Sequence, residues 1–230
     1  MGNLFDRLFK KKSTRYLSLL LVLLPFLLLT GFFGYRTVDS IKNIVPGESG
    51  SVAKKDTEDI EDYDYHLRHN ATDLQKELFK ELDELLDQDP QDELAIAESI
   101  AKNYIADFYT WTNKEGQYDV GGMYYVFSDS RPNIYYQARD SYYHYLSSYI
   151  EEYGQENLLE VTSVEVETSG PANTFTDVFG RTYPAWYVRV RYTYADHPNF
   201  PIGEYYTVMN ITVVKRENGR FEIAQAYGDN

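Results

Sequence analysis

His66 and His69 stand three residues apart, with Asp62 and Asp73 at helical spacing on either side, the spacing a metal ion would ask for. Zinc takes three or four ligands, and zinc-bearing catalytic helices carry a His-Glu-x-x-His repeat. The chain has neither that repeat nor a cysteine, so the pair reads as solvated histidines on a helix. Nucleophilic catalysis has no anchor either, because no Gly-x-Ser-x-Gly elbow and no thiol is present. Asp119-Val120-Gly121-Gly122-Met123 lacks both the lysine and the spacing of a phosphate-cradling loop. No catalytic, cofactor-binding or metal-ligating residue is assigned.

Tyrosine is the side chain this sequence favours. Of 23 tyrosines, ten lie between Tyr118 and Tyr153. A helix is expected from about Pro132 to Tyr153, closed by Gly154. Along it Tyr135, Tyr142, Tyr145, Tyr149 and Tyr153 step by 7, 3, 4 and 4, the spacing of a core stripe. Tyr136 and Tyr143 fall on a neighbouring stripe that reads as partly exposed. With Tyr124 and Tyr125 they form the candidate interaction surface, since amphipathic rings are favoured at protein interfaces and sugar sites. The competing reading, that tyrosine replaces Phe and Leu in this core, stands beside it.

The elements that must position these side chains begin with a membrane segment. Tyr16 to Tyr35 is a run of twenty residues without a charge, behind Arg7, Lys10, Lys11, Lys12 and Arg15. At helical rise it spans about 30 Å, the depth of a bilayer's hydrocarbon core. The basic cluster orients it with residues 1–15 in the cytoplasm and the rest outside. Its exit, Thr30 to Tyr35, is aromatic rather than small-x-small, so an uncleaved anchor is expected rather than a signal peptide. Residues 1–36 hold six basic residues and one acid, which leaves 16 and 35 for residues 37–230, a net charge of −19. Such a body is repelled by nucleic acid and by anionic headgroups.

Beyond the anchor, residues 36–57 read as a tether, with Pro46-Gly47-Glu48-Ser49-Gly50-Ser51 at its centre. Residues 58–89 read as an acidic amphipathic helix. There Leu67, Ala71, Leu74, Leu78, Leu82 and Leu85 recur with an average step of 3.6, one buried stripe that packs on the body rather than forming a long coiled coil. Asp89-Pro90 ends it and opens a second helix, whose wide apolar face carries Leu94, Ala97, Ala101, Tyr104, Phe108 and Trp111. After Gly154 the period changes to two, predicting strands at 158–168, 182–195, 204–216 and 220–227. Glu217-Asn218-Gly219 is a hairpin signal. Helices followed by a strand meander give an α+β fold, helices on one face of a curved four-stranded antiparallel sheet.

Over residues 90–230 this order resembles the cone-shaped, cystatin-like fold of the nuclear-transport-factor-two superfamily. The likeness rests on the helix ending Ala101-Lys102-Asn103-Tyr104-Ile105-Ala106-Asp107-Phe108-Tyr109-Thr110-Trp111, on the tyrosine-rich helix, and on a long hairpin at 183–215 with a closing strand. An anchor followed by such a domain resembles the bitopic core proteins of bacterial conjugation and type IV secretion machines. That resemblance implies a scaffold that self-associates and docks other membrane or envelope proteins, without enzymatic activity. The same superfamily holds pocket binders and isomerases, so a ligand- or glycan-binding module and an anchored enzyme stand as alternatives. In the enzyme reading a carboxylate base and tyrosine donors meet in an apolar cavity, with Asp107, Tyr104, Tyr109 and Tyr192 as the candidates. Two sequons, at Asn70 and Asn210, read as chance in a chain of bacterial appearance.

Overall fold

The computed structural model describes residues 58–229. By contacts the chain divides into Met1–Ala53 and Lys54–Asn230, and all described residues fall in the second unit. No helix among them is long and apolar enough to cross a membrane. The expected tail at 1–15, anchor at 16–35 and tether at 36–57 lie outside the described residues.

The fold is α+β. Among the described residues it holds four helices, α1 (Asp73–Leu86), α2 (Glu93–Phe108), α3 (Arg131–Asp140) and α4 (Leu146–Tyr153). A small hairpin, β1 (Asp59–Ile60) and β2 (Tyr65–His66), precedes them. The main sheet is antiparallel in the order β3 (Val161–Pro171), β6 (Ala185–Tyr194), β7 (Val208–Lys215), β8 (Phe221–Gly228). A second hairpin, β4 (Phe175–Thr176) and β5 (Thr182–Tyr183), projects between β3 and β6.

Helix α1 starts fifteen residues after the start of the helix expected over 58–89, and six after the first residue of its hydrophobic period, Leu67. Thr72 accepts from Gln75 N–H while the Gln75 side chain accepts from Thr72 N–H, a capping box that fixes the first turn. Leu67 and Ala71 keep the period upstream because both are buried in the same core, not because they are helical. Helix α2 starts at Glu93 rather than at Pro90, capped by Asp92, whose carboxylate accepts from Leu94 and Ala95 N–H. It is apolar nearly all round, as a helix wedged between α1 and the sheet must be.

The expected helix at 132–153 is two helices. A turn at Ser141–Tyr145 interrupts it, with Tyr143 N–H returning to Ala138 O. That break changes the facing of Tyr143 and Tyr145, while Tyr149 and Tyr153 stay partly buried against the core as the stripe expects. Tyr143 becomes fully buried and Tyr145 is 60 % exposed, the reverse of the stripe assignment.

The strands follow the period of two closely. Trp186, Val188, Val190 and Tyr192 bury one face of β6, while Arg189, Arg191 and Thr193 line the other. Pro184 separates β5 from β6, so the strand expected over 182–195 is interrupted at its start. Register shifts at Val161/Ser163, Val166/Thr168 and Thr212/Val213 are bulges, which bend and twist the strands they interrupt.

Candidate functional site

Asp107, in the last turn of α2, is the carboxylate that the sequence offers for acid–base chemistry. The structure surrounds it with cations. Arg68 Nε donates to Asp107 Oδ1 at 3.1 Å and Lys114 Nζ donates to the same oxygen at 2.9 Å. Gly122 N–H donates to Oδ2 at 2.6 Å. Arg68 also forks onto Asp119, with Nη2 2.8 Å from Oδ1. Lys114 has no exposed side chain and gives a second hydrogen bond to Asn113 Oδ1 at 2.8 Å. Two acids and two bases therefore close a neutral centre that ties the end of α2 to the segment before α1 and to the loop that follows α2.

Neighbouring backbone completes the centre. Tyr143 donates to Phe108 O at 2.5 Å and accepts from Gly121 N–H at 3.2 Å. A Cβ at Gly121 would lie 2.3 Å from Asp107 O, so the loop can approach the helix only as glycine. Burial alone would raise the Asp107 carboxyl, but the Lys114 and Arg68 charges and the Gly122 N–H outweigh it and hold it far below the usual range. Burial pulls Lys114 down to about 8 against the attraction of Asp107. An ionised carboxylate with its lone pairs taken by three donors has little capacity to abstract a proton.

The tyrosines named beside Asp107 do not converge on it. Tyr109 OH lies 3.5 Å from Met209 Sδ, and the Tyr192 hydroxyl is buried beside those of Tyr142 and Tyr194 without a partner at hydrogen-bonding geometry. The Tyr104 ring stacks on Phe108. These rings fill the space between α2 and the sheet. A crevice at Asp107, lined also by His66, Arg68, Gln75, Asn103 and Tyr125, has room for about one water molecule.

The histidine pair is not helical. His66 lies on β2, its Nδ1 2.8 Å from Asp59 and its Nε2 3.1 Å from Asp64. The His66 ring nitrogens are thus taken by Asp59 and Asp64, not by Asp62 or Asp73. Among the described residues no group of three or more His, Cys, Asp or Glu is arranged to hold a metal ion. Of the sequon residues, Asn70 donates to Asn113 O, and the buried Asn210 accepts from Tyr187 and Arg189.

Of the four tyrosines proposed as a surface, Tyr125 and Tyr143 are buried and present none. Tyr124 is half-buried against the His66 ring. Tyr136 is exposed, at the heart of a cluster the sequence reading missed. The Arg139 guanidinium lies 4.9 Å from the Tyr136 ring centroid and 5.7 Å from that of Tyr118, which is 67 % exposed. Tyr135 OH donates to Tyr118 O at 3.0 Å and its ring meets Tyr136 edge-on, while Asp140 pairs with Arg139. Helical i, i+3 spacing of Tyr136 and Arg139 was the available signal. Tyr118, from a loop eighteen residues earlier, carried none.

No protein-family model matches this chain, and comparison with curated proteins and with solved structures likewise yields no match.

Proposed function

We propose that this chain is a single-pass, membrane-anchored scaffold whose α+β body lies outside the cytoplasm and binds other envelope proteins. The observation that carries this reading is the uncharged run Tyr16–Tyr35 behind five basic residues, long enough to span a bilayer and oriented by charge. Two features of the body support the scaffold over the enzyme. Its interior is packed with aromatic side chains, and Asp107 is neutralised by Arg68 and Lys114 rather than poised as a base. Its surface carries Tyr118, Tyr136 and Arg139 in ring-to-guanidinium contact, the residue types that anchor protein interfaces. A cystatin-like cone and a place in a conjugative or secretion channel belong to the same proposal, on likeness of element order alone.

A second reading has one observation in its favour. Exposed rings beside a paired Arg139 and Asp140 also suit a glycan, which stacks on aromatic faces and hydrogen-bonds to polar edges. Photo-crosslinking separates the two. The scaffold predicts that the full chain stays in carbonate-washed membranes and that protease added to intact cells digests the body. A photoreactive residue at Tyr118 or Tyr136 should then yield a discrete adduct with an envelope protein or a second copy. A soluble chain, or a body that external protease leaves intact, defeats the reading; adducts with glycan alone favour the alternative.

A further inference from the structure

The most exposed apolar side chains in the described body belong neither to the tyrosine cluster nor to the core. Val178 is 93 % exposed and Phe179 75 %, side by side at the tip of the β4–β5 hairpin. The turn that presents them is tightly braced. Asp177 Oδ1 accepts from Phe179 N–H and from Arg181 N–H, both at 2.9 Å. Asp177 N–H donates to Arg181 O, and Gly180 takes the left-handed conformation that lets the chain reverse. Arg181 pairs with Asp177 and with Asp129, and Asp129 also meets Arg216. Beneath them Phe127, Phe175, Tyr183, Ala185 and Val214 form a second small core that fixes the hairpin base. Two large apolar groups are thus held out in water by a rigid mount.

We infer that the Val178–Phe179 tip rests in the headgroup layer of the membrane that anchors the chain, as a shallow second contact with neutral, zwitterionic lipid. This rests on the anchored reading above. The 22 residues between the uncharged run and the first described residue extend at most about 80 Å, so the tether confines the tip to a bounded volume next to the bilayer. Tethering of that kind makes a weak contact count, because the second encounter is intramolecular. Charge selects the lipid. Asp177, Asp129, Arg181 and Arg216 neutralise one another at the tip, while the body as a whole is strongly acidic. Neutral headgroups therefore admit the tip, and anionic ones repel the body within a Debye length of about 8 Å. An aromatic ring backed by an arginine is suited to the interfacial layer; the Arg181 guanidinium lies 5.1 Å from the Phe179 ring centroid.

Absence of cysteine makes the test direct, since Val178→Cys provides a unique thiol for an environment-sensitive fluorophore on the full chain. A label at Asp196→Cys, at the opposite end of β6, is the control. In phosphatidylcholine proteoliposomes the Val178 label should shift to the blue and lose at least half its intensity to headgroup-level spin-labelled lipid. The Asp196 label should remain unquenched. Adding Phe179→Asp should abolish the quenching with the circular dichroism unchanged, and replacing part of the lipid by phosphatidylglycerol should reduce it. If the chain floats with the vesicles but the Val178 label stays unquenched, or instead crosslinks to a second copy, the tip proposal is overturned and the anchor stands. If the chain fails to float at all, the anchor reading and the tip fall together.

Discussion

Lys114–Asp107 and Arg139–Asp140 are the same chemistry in two settings: a cation, a carboxylate and nearby tyrosine rings. In the first the lysine is wholly buried, and every oxygen of Asp107 is engaged by Arg68, Lys114 or a backbone N–H. In the second, adjacent residues of one helix turn pair at the surface, Asp140 largely exposed and Arg139 partly covered by the Tyr118 and Tyr136 rings. A buried charge that loses its partner strands the other in low dielectric, whereas an exposed pair exchanges its contact for solvent at little cost. The buried centre therefore belongs to the fold, while the surface pair contributes little to it.

The contrast is broken most sharply by Lys114→Met. Removing the buried cation should destabilise the body by about 3–5 kcal/mol, read from denaturant unfolding, while Arg139→Met should leave the unfolding midpoint where it was. Comparable effects of the two would erase the distinction. Gly121→Ala comes next. A methyl aimed at the Asp107 carbonyl should push the loop off α2 and cost about 2–3 kcal/mol. Tyr143→Phe leaves Gly121 N–H and Phe108 O without their hydroxyl and should cost about 1–3 kcal/mol. Tyr136→Phe, in water, should not register in the same assay.

Acid sharpens the comparison with the smallest signal. Both Asp107 and Asp119 are held below their ordinary 3.8, against the upward push of burial, by Lys114 and Arg68 for the first and mainly by Arg68 for the second. A carboxylate depressed in the folded state lends stability that is complete above its unfolded pKa and lost as pH falls toward the folded one. Stability should accordingly decline below about pH 4, and Asp107→Asn should flatten that decline although it lowers stability at neutral pH. An unchanged acid limb in Asp107→Asn would remove the centre from the pH response.

Much of the fold was legible where one period ran without interruption. The alternation in 182–195 predicts β6 and even its buried face, because a strand in a half-covered sheet has no other way to divide its side chains; that in 204–216 predicts β7 only from Val208 onward, where both faces are largely buried. Helices were legible in kind and misread in extent. Periodicity reports which residues are buried, and Leu67 and Ala71 are buried from outside a helix. The turn at Ser141–Tyr145 carried no glycine or proline to announce it. It exists because Tyr143 inserts between α2 and the Gly121 loop, a contact between segments more than twenty residues apart.

By itself the sequence determined the acidic balance, the lack of thiols, the twenty-residue uncharged run and the alternation that makes a sheet. These are properties of composition and of near neighbours, and burial only expresses them. The tertiary structure alone decided which of the tyrosines meet water, that Asp107 is saturated by Arg68 and Lys114, and that Val178 and Phe179 stand out on a braced turn. Each of those facts depends on groups brought together from distant parts of the chain. Pairing and packing at that range are fixed by the whole core, not by any local pattern.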